Sequence, residues 1–241
     1  MAFIRSFLFW IFLYLSVAIL VLSYFPIAFF VKKKTLADDC AKAWSQTVLF
    51  LLRFFLKIDH QILGTHNLPQ TPCIIACKHH SMWETVVFHL LCKHPAYIYK
   101  KELAKVPLYG WYVQQMSGVR VDRGGGASAL KDLIRQTKFF LHAGHNVIIF
   151  PQGTRIPPNA TTGDYPYQIG IAALYLACNV PVVPVALNSG NFWRKSLLIK
   201  KQGRITLEFM EPIMPGLTKA EFMAQLEERV EKGSAKLRET V

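Results

Sequence analysis

The chain has 241 residues, which is enough for one α/β domain with a full hydrophobic core and a short appendage. It carries 28 Lys and Arg against 15 Asp and Glu, and the resulting charge of +13 suits an anionic partner such as a nucleic acid, a lipid surface or a phosphate-bearing substrate. The five cysteines are odd in number and form no C-x-x-C pair. This argues against a disulfide scaffold or a zinc ribbon and favours a reducing compartment.

The N-terminal segment is strongly apolar. No charged residue occurs from Phe7 to Val31, and about 20 apolar residues suffice for a helix to cross the hydrocarbon core of a bilayer. The segment is too long for a signal-peptide core, and no small-residue cleavage site follows it. Three lysines, Lys32–Lys34, come directly after it and only Arg5 precedes it. The positive-inside tendency therefore predicts that the bulk of the protein faces the cytoplasm.

A second helical pattern follows this segment. Thr35 and Asp38 have the spacing of a capping box, and apolar residues then recur at helical spacing as far as Phe55. This helix could lie in the membrane interface or form the return arm of a helical hairpin. The sequence leaves open whether the anchor spans the bilayer or is monotopic. We predict membrane-anchoring helices over residues 1–58 and one further domain over residues 59–241.

Short apolar runs alternate with helical patterns in the rest of the chain. This alternation predicts an α/β domain with a mainly parallel sheet flanked by helices. The predicted strands are Cys73–Cys77, Ala96–Tyr99, Val119–Val121, Val147–Phe150, Val182–Leu187 and Ile205–Phe209. The predicted helices are Trp83–Cys92, Ser128–Ala143, Gly170–Cys178 and a charged amphipathic helix from about Thr218 onward.

The first candidate site follows the predicted strand Cys73–Cys77, at the point where a helix begins. Active groups in open α/β sheets often lie at such a place. Ser81 and Glu84 have capping-box spacing, so one interpretation is that Glu84 only closes the helix start. In the other, His79 is a general base and Glu84 orients its imidazole. Because positions five apart on one helix point away from each other, this second interpretation requires His79 to precede the helix.

Two alternatives compete with the pair of His79 and Glu84. The adjacent His80 could be the base instead, and the pattern does not exclude it. A metal site is not expected, because the nearby His89 and His94 match no known metal-binding spacing.

Two basic turns follow later predicted strands. Arg123 comes after Val119–Val121 and before three glycines, where it could face an anion near amide donors. The strand Val147–Phe150 runs into a Pro/Gly turn that presents Arg155. Each arginine could clamp a phosphate or be an ordinary surface residue.

In their order and spacing, these pieces resemble the lysophosphatidic acid acyltransferase (glycerolipid acyltransferase) family, over roughly Cys73 to Ser189. His79 and Glu84 are similar to the family's H-x4-D/E block. The other three blocks are similar to Lys100 through Arg123, to Phe150 through Arg155 (the F-P-E-G-T-R block) and to Val180 through Val185. Each block alone is modestly specific, whereas all four in order are highly specific.

The resemblance implies the glycerolipid acyltransferase fold and a direct acyl transfer. His79 would be the general base, and Glu84 would hold its tautomer. The acceptor would be the sn-2 hydroxyl of lysophosphatidic acid, giving phosphatidic acid in phospholipid synthesis. The donor would be acyl-CoA or acyl carrier protein, a substrate, with no cofactor and no metal. The residues expected to bind the acceptor's phosphate are Lys100, Arg123, Gly153, Thr154 and Arg155.

The expected partners are membrane phospholipids, lysophosphatidic acid and the acyl donor. Nucleic acid is not expected, because the chain has no recognisable module for it. The expected location is the inner (cytoplasmic) membrane with the catalytic domain on the cytoplasmic side, where thioester donors occur. Basic residues near an anionic leaflet contribute ~1 kcal/mol each. Five of them could form such a face or be merely solvated: Arg194, Lys195, Lys200, Lys201 and Arg204.

Two departures from the family pattern concern the acceptor. Gln152 stands where the family usually has Glu, and Gln168 stands where a Lys is common. Both changes favour altered acceptor binding and could signal a different head group. The alternatives are another lysolipid such as a lyso-ornithine lipid, glycerol 3-phosphate, or a non-catalytic basic membrane-binding protein.

Overall fold

A computed structural model describes residues 2–30, 36–106, 110, 113–114, 116–193 and 200–239. Two long helices come first, α1 (Ala2–Phe30) and α2 (Leu36–Leu56). The predicted cytoplasmic flank Lys32–Lys34 and the basic residues Arg194 and Lys195 lie outside the described residues.

A seven-stranded sheet forms the centre of the protein, with the spatial order β1-β7-β6-β2-β5-β3-β4. All neighbouring strands are parallel except β6 and β7. The strands are β1 (Ile58–Leu63), β2 (Ile74–Cys77), β3 (Pro95–Lys100), β4 (Gly118–Val121), β5 (Asn146–Ile149), β6 (Val182–Leu187) and β7 (Gly203–Phe209). Further α-helices within the described residues are α3 (Trp83–Leu91), α4 (Gly126–His142), α5 (Ile169–Cys178) and α6 (Lys219–Glu239).

Alternate side chains of the central strands enter two hydrophobic layers, one on each face of the sheet. In β2, Ile75 and Cys77 pack in the layer with α1, α2 and α3, while Ile74 and Ala76 pack in the layer with α4, α5 and α6. Every residue of β2 and β6 is buried. Strands buried on both faces are typical of parallel sheets covered by helices. The predicted α/β class is therefore confirmed.

The six predicted strands and four predicted helices are all present, and their ends agree with the prediction to within two residues. One strand, β1, was not predicted. The helix after β2 begins at Trp83, as predicted, and His79 lies on the preceding turn. This placement meets the geometric condition for a contact between His79 and Glu84.

The first two helices form an antiparallel hairpin that packs on the domain. Trp44 Nε1 donates to Ser16 Oγ at 3.1 Å, and Arg5 Nε donates to the carbonyl of Phe55 at 2.6 Å. Phe9 and Leu13 are fully buried in the layer shared with the sheet. The opposite face of α1 is exposed and apolar, and its stretch Ala2–Tyr24 is long and apolar enough to cross a membrane. The division at residue 58 stays a prediction.

Candidate active site

The turn between β2 and α3 carries the first predicted site. β2 lies at the centre of the sheet between β5 and β6, and all three run parallel. Their carboxyl ends therefore meet at one edge, which is where open α/β sheets bind ligands. His79, His80 and Ser81 follow the end of β2 directly, and Glu84 lies in the first turn of α3.

Glu84 is completely buried and surrounded by hydrogen-bond donors. Its Oε1 accepts the backbone N–H groups of His80 and Ser81, the latter at 2.7 Å. Its Oε2 accepts the hydroxyls of Ser81 and Ser189, the latter at 2.9 Å. The Ser81 hydroxyl in turn accepts the N–H of Trp83 at 2.9 Å. Ser81 and Glu84 thus make the local hydrogen bonds that the capping-box interpretation predicts, although the N-cap position is occupied by Met82 and not by Ser81. These hydrogen bonds lock the carboxylate in one orientation.

The same carboxylate also faces His79. Nδ1 of His79 lies 3.5 Å from Oε1 of Glu84, an ion-pair distance, and makes no shorter hydrogen bond among the described residues. Catalytic hydrogen bonds are often this long before substrate binds. The imidazole stacks on the ring of Phe150 with centroids 4.2 Å apart, and its side chain is 17% exposed. Glu84 therefore takes part both in the hydrogen bonds at the helix start and in the pair with His79, which the sequence had presented as alternatives.

The charge of Glu84 is strongly favoured. Burial alone raises the pKa of this carboxyl, but the interactions with His79 and with the Ser81 hydroxyl outweigh burial and lower it to about 2. Glu84 is therefore ionised at neutral pH. A carboxylate that faces Nδ1 favours the tautomer in which Nδ1 carries the proton, and Nε2 is then free to accept one.

His80 is placed differently from His79. It is 2% exposed, and its Nδ1 lies 3.1 Å from the carbonyl oxygen of Ile156. Burial lowers the pKa of His80, and the positive charges of Lys78 and Arg238 lower it further against the opposing effects of Glu84 and Ile156. A buried, neutral imidazole bonded to the backbone is poorly placed to meet a substrate. The geometry favours His79 as the base.

The two basic turns lie at the same edge of the sheet. Gly153 has a φ of 70°, and a Cβ built there would be 3.2 Å from the guanidinium carbon of Arg123. Arg123 therefore rests directly on the turn that follows β5. One residue beyond Arg155, the N–H of Ile156 donates to the carbonyl of His79 at 2.8 Å. The segment from Phe150 to Ile156 thus contacts Arg123 on one side and His79 on the other.

The other predicted phosphate ligands make fewer contacts with Arg123 and with each other. Thr154 is exposed and Arg155 is half-buried on the Gly153 turn. Lys100 is exposed at the end of β3, in register with Val121, and so lies at the same edge of the sheet as Arg123. Within the described part of the chain it makes no hydrogen bond or ion pair with the other predicted ligands. Their shared role in binding phosphate stays a prediction.

Several residues near the site were not identified from the sequence as part of it. Ser189 lies 105 positions from Glu84 in the chain, and its hydroxyl nevertheless completes the donor shell of the carboxylate. Lys78, the residue before His79, is fully buried and paired with Glu231 of the last helix. Lys200, one of the five residues that could have formed a basic face, packs against α1 and not at the site: it is buried, with its Nζ 5.2 Å from the ring of Trp10. Only the position of Ser189, four residues after the fourth block, was a usable signal.

The two departures from the family pattern, Gln152 and Gln168, differ in burial. Gln152 is 6% exposed, and its Oε1 has no hydrogen-bond partner among the described residues. The side chain of Gln168 is exposed, and its backbone N–H donates to the carbonyl of Pro151 at 2.9 Å. Gln152 is therefore the departure that bears directly on the site, since it lies between Phe150 and Gly153.

Comparison with known proteins identifies the family. The family model described as Acyltransferase matches residues 60–188, which is more than half of the chain. The chain belongs to this acyltransferase family. A 1-acyl-sn-glycerol-3-phosphate acyltransferase of Pseudomonas aeruginosa is 34% identical to this family member over 162 residues, covering 67% of this chain and 62% of that relative. A lyso-ornithine lipid O-acyltransferase of the same species is 24% identical over 205 residues, 75% of each chain.

A solved structure supports the fold of this acyltransferase as a whole. The crystal structure of a 1-acyl-sn-glycerophosphate acyltransferase from Thermotoga maritima superimposes with a TM-score of 0.77 at 22% sequence identity. The likeness covers 99% of this chain and 98% of that one, including the N-terminal helices. The chain spans less than two thirds of the length of the more similar Pseudomonas relative.

Proposed function

We propose that this acyltransferase moves a fatty acyl group from a thioester, acyl-CoA or acyl carrier protein, to the sn-2 hydroxyl of lysophosphatidic acid. The observation that carries the proposal is the position of the His79 imidazole, which lies between Glu84 and Phe150. The turn at Gly153, with the guanidinium of Arg123 against it, follows the same edge of the sheet. A base and a cationic turn are thus present at one edge of the sheet. The name of the Pseudomonas relative supports the same acceptor.

His79 and Glu84 would act in a direct transfer with no acyl-enzyme. Nε2 of His79 takes the proton of the acceptor hydroxyl while the oxygen attacks the thioester carbonyl carbon. Glu84 stabilises the imidazolium that forms. The tetrahedral intermediate then expels the thiolate, which receives the proton from His79, so that the products are an ester and a free thiol. General-base assistance of this kind contributes typically ~10²–10⁴-fold to the rate.

The cationic turn would hold the acceptor's phosphate. Burial lowers the pKa of Arg123, but a guanidinium remains protonated at neutral pH. Arginine matches the geometry of phosphate oxygens with two parallel hydrogen bonds. We assign phosphate binding to Arg123 and Arg155, with Thr154 on the Gly153 turn as a further donor and Lys100 as an outer cation. The N–H of Gly153 itself donates to the carbonyl of Phe150 at 2.8 Å and shapes the turn. No cofactor or metal is required for this transfer.

The N-terminal hairpin would keep the site at the lipid surface. Its inner face, with Phe9 and Leu13, is part of the domain's hydrophobic layer, while Phe3, Phe7 and Phe54 expose an apolar face outward. Such a face can enter one leaflet while the domain stays attached. We propose that the protein lies on the cytoplasmic side of the inner membrane, where both thioester donors and lysolipid acceptors are available.

A second acceptor is a lyso-ornithine lipid. The observation that favours it is Gln152, whose neutral amide replaces the usual carboxylate inside the site and leaves a buried carbonyl oxygen free to accept a hydrogen bond. An ornithine head group carries N–H donors that lysophosphatidate lacks. The 75% coverage of a lyso-ornithine lipid O-acyltransferase is consistent with this alternative.

An acceptor panel tests the proposal. Full-length protein in detergent micelles is given palmitoyl-CoA or palmitoyl carrier protein together with lysophosphatidate, lyso-ornithine lipid or glycerol 3-phosphate, and the products are identified by mass spectrometry. We expect phosphatidate from lysophosphatidate, its loss in His79→Ala, and its retention in His80→Asn, whose amide nitrogen can replace Nδ1 toward Ile156. No transfer to lysophosphatidate from either donor would refute the acceptor. Activity that survives in His79→Ala would refute the mechanism.

A further inference from the structure

A partly buried ion pair involves Lys78, the residue directly before the candidate base. Lys78 is fully buried, and its Nζ lies 2.6 Å from Oε2 of Glu231. The hydroxyl of Tyr167 donates to Oε1 of the same carboxylate at 3.1 Å. Lys78 continues the alternation of Ile74 and Ala76 and enters the layer that contains α6, whereas the next residue, His79, faces the candidate site.

Helix α6 contacts the other segments of the site as well. Arg238 donates to the carbonyl of Pro158, which follows the basic turn. Asn188 directly precedes Ser189, the serine that contacts Glu84, and its side chain donates to the carbonyl of Leu237 at 3.0 Å. At Gly233 the helix approaches β6 so closely that a Cβ would be 2.8 Å from Ala186. All of these helix residues lie beyond residue 188, where the family-model match ends.

The Lys78–Glu231 pair is far less exposed than a surface ion pair of the same length. Lys232 and Glu228, also on α6, are 2.6 Å apart, but their side chains are 77% and 59% exposed. Those of Lys78 and Glu231 are 0% and 26% exposed. A buried ammonium is costly unless an anion stays beside it, whereas an exposed one is solvated. Lys78 is therefore tied to one position, and the backbone of the catalytic turn is tied with it.

We propose that the Lys78–Glu231 pair is a positioning element that sets the orientation of His79 from a helix outside the matched family domain. The proposal rests on the proposed function, since it assigns His79 the role of the base. It makes α6 a part of the catalytic unit. Neither Lys78 nor Glu231 touches the substrate in this assignment.

Steady-state kinetics of full-length variants test the proposal. Lys78→Met should lower kcat about 10- to 100-fold, because small displacements of a catalytic group have effects of that size. The KM for lysophosphatidate should stay within about twofold, because the phosphate ligands are unchanged. The matched variant Lys232→Met should change neither. A folded Lys78→Met enzyme with wild-type kcat, or an equal loss in Lys232→Met, would overturn the proposal.

A variant that removes both charges covers the case in which Lys78→Met does not fold. In Lys78→Met/Glu231→Leu no buried charge is left unpaired, and such replacements are often well tolerated. Folding is checked by thermal unfolding. We expect kcat to stay low in the folded double variant, and a wild-type kcat there would equally overturn the proposal.

Chemical modification separates this proposal from the choice of acceptor. Diethyl pyrocarbonate reacts with imidazole nitrogens, and the rate at each histidine is measured by peptide mass spectrometry without any substrate. We expect His79 to react several-fold faster in Lys78→Met than in the wild type, while the exposed His142 reacts equally in both. If the wild type fails to acylate lysophosphatidate but His79 still responds to Lys78→Met, only the proposed acceptor fails. An unchanged rate at His79 rejects the positioning role.

Discussion

Replacing Glu84 by glutamine separates its charge from its hydrogen bonds. Oε1 of the carboxylate accepts two backbone N–H groups, which cannot reverse their direction, while Oε2 accepts two hydroxyls, which can. In Glu84→Gln the amide oxygen can take the place of Oε1 and the NH₂ group that of Oε2. The hydroxyls of Ser81 and Ser189 then rotate to accept. The variant keeps the geometry of the turn and loses only the negative charge beside His79.

The expected magnitudes follow from this geometry. The amide oxygen still faces Nδ1 of His79, but without the carboxylate the imidazolium loses its stabilising negative charge, and we expect kcat to fall ~10²–10⁴-fold. In the folded protein the pKa of Glu84 is about 2, below its ordinary 4.5, so the ionised carboxyl stabilises the fold. Glu84→Gln lacks this charge and should lose ~3 kcal/mol of unfolding free energy. Glu84→Ala should lose a further ~2–6 kcal/mol, because two buried backbone N–H groups are left unpaired at ~1–3 kcal/mol each.

The assay combines initial acylation rates with denaturant unfolding for Glu84→Gln, Glu84→Ala and the exposed control Glu228→Gln. We expect the glutamine variant to be folded and nearly inactive, the alanine variant to be strongly destabilised, and the control to match the wild type. A folded Glu84→Gln enzyme whose kcat stays within about tenfold of wild type would refute the assignment of Glu84 as the orienting group. Equal stability of the glutamine and alanine variants would refute the account of the donor shell.

Three other predictions follow from the structure. Arg123→Gln should raise the KM for lysophosphatidate with a smaller effect on kcat. The control Arg120→Gln, at an exposed residue of β4, should leave the KM unchanged. Equal effects of the two substitutions would argue against a phosphate ligand at Arg123. Phe9→Ala, at a fully buried ring, should lower the unfolding free energy by ~3–5 kcal/mol, whereas Phe3→Ala, 62% exposed, should leave stability unchanged and weaken vesicle binding in a co-sedimentation assay. The stabilising effect of Glu84 should be fully present above pH 4.5, its ordinary pKa, and should disappear as the pH falls toward 2; a stability difference between wild type and Glu84→Gln that persists at pH 2 would contradict this.

The sequence predicted most of the fold because the buried strands are continuous apolar runs. β2 and β6 are buried along their whole length, so composition alone marks them. β1 was missed for the complementary reason. In the described part of the chain it is an edge strand that pairs with β7 alone, and the polar side chains of Asp59, His60 and Gln61 interrupt its apolar pattern. Its existence depends on a partner strand near the other end of the chain, which local patterns cannot reveal.

The candidate site was predictable where its contacts are local. His79 and Glu84 are five positions apart, so the order of residues and the helix start limited their geometry. The choice between His79 and His80 needed burial, which only the fold supplies. Ser189 and Glu231 come from distant parts of the chain, and nothing in their own surroundings marks them as neighbours of the catalytic turn. Lys200 was misplaced because a lysine in a basic segment gives no sign that an aromatic ring will cover it.

The pairing of the first strand with the last has a consequence for biosynthesis. Ile58 of β1 is in register with Gly203 of β7, and no other strand among the described residues borders β1. During synthesis the apolar α1–α2 hairpin leaves the ribosome long before β7 exists, so it can meet the membrane while the sheet is still incomplete. Non-local strand pairing is slow in any case. The buried face of the hairpin, with Phe9 and Leu13, therefore has to wait for the last strand before the hydrophobic layer that it shares with the sheet is complete.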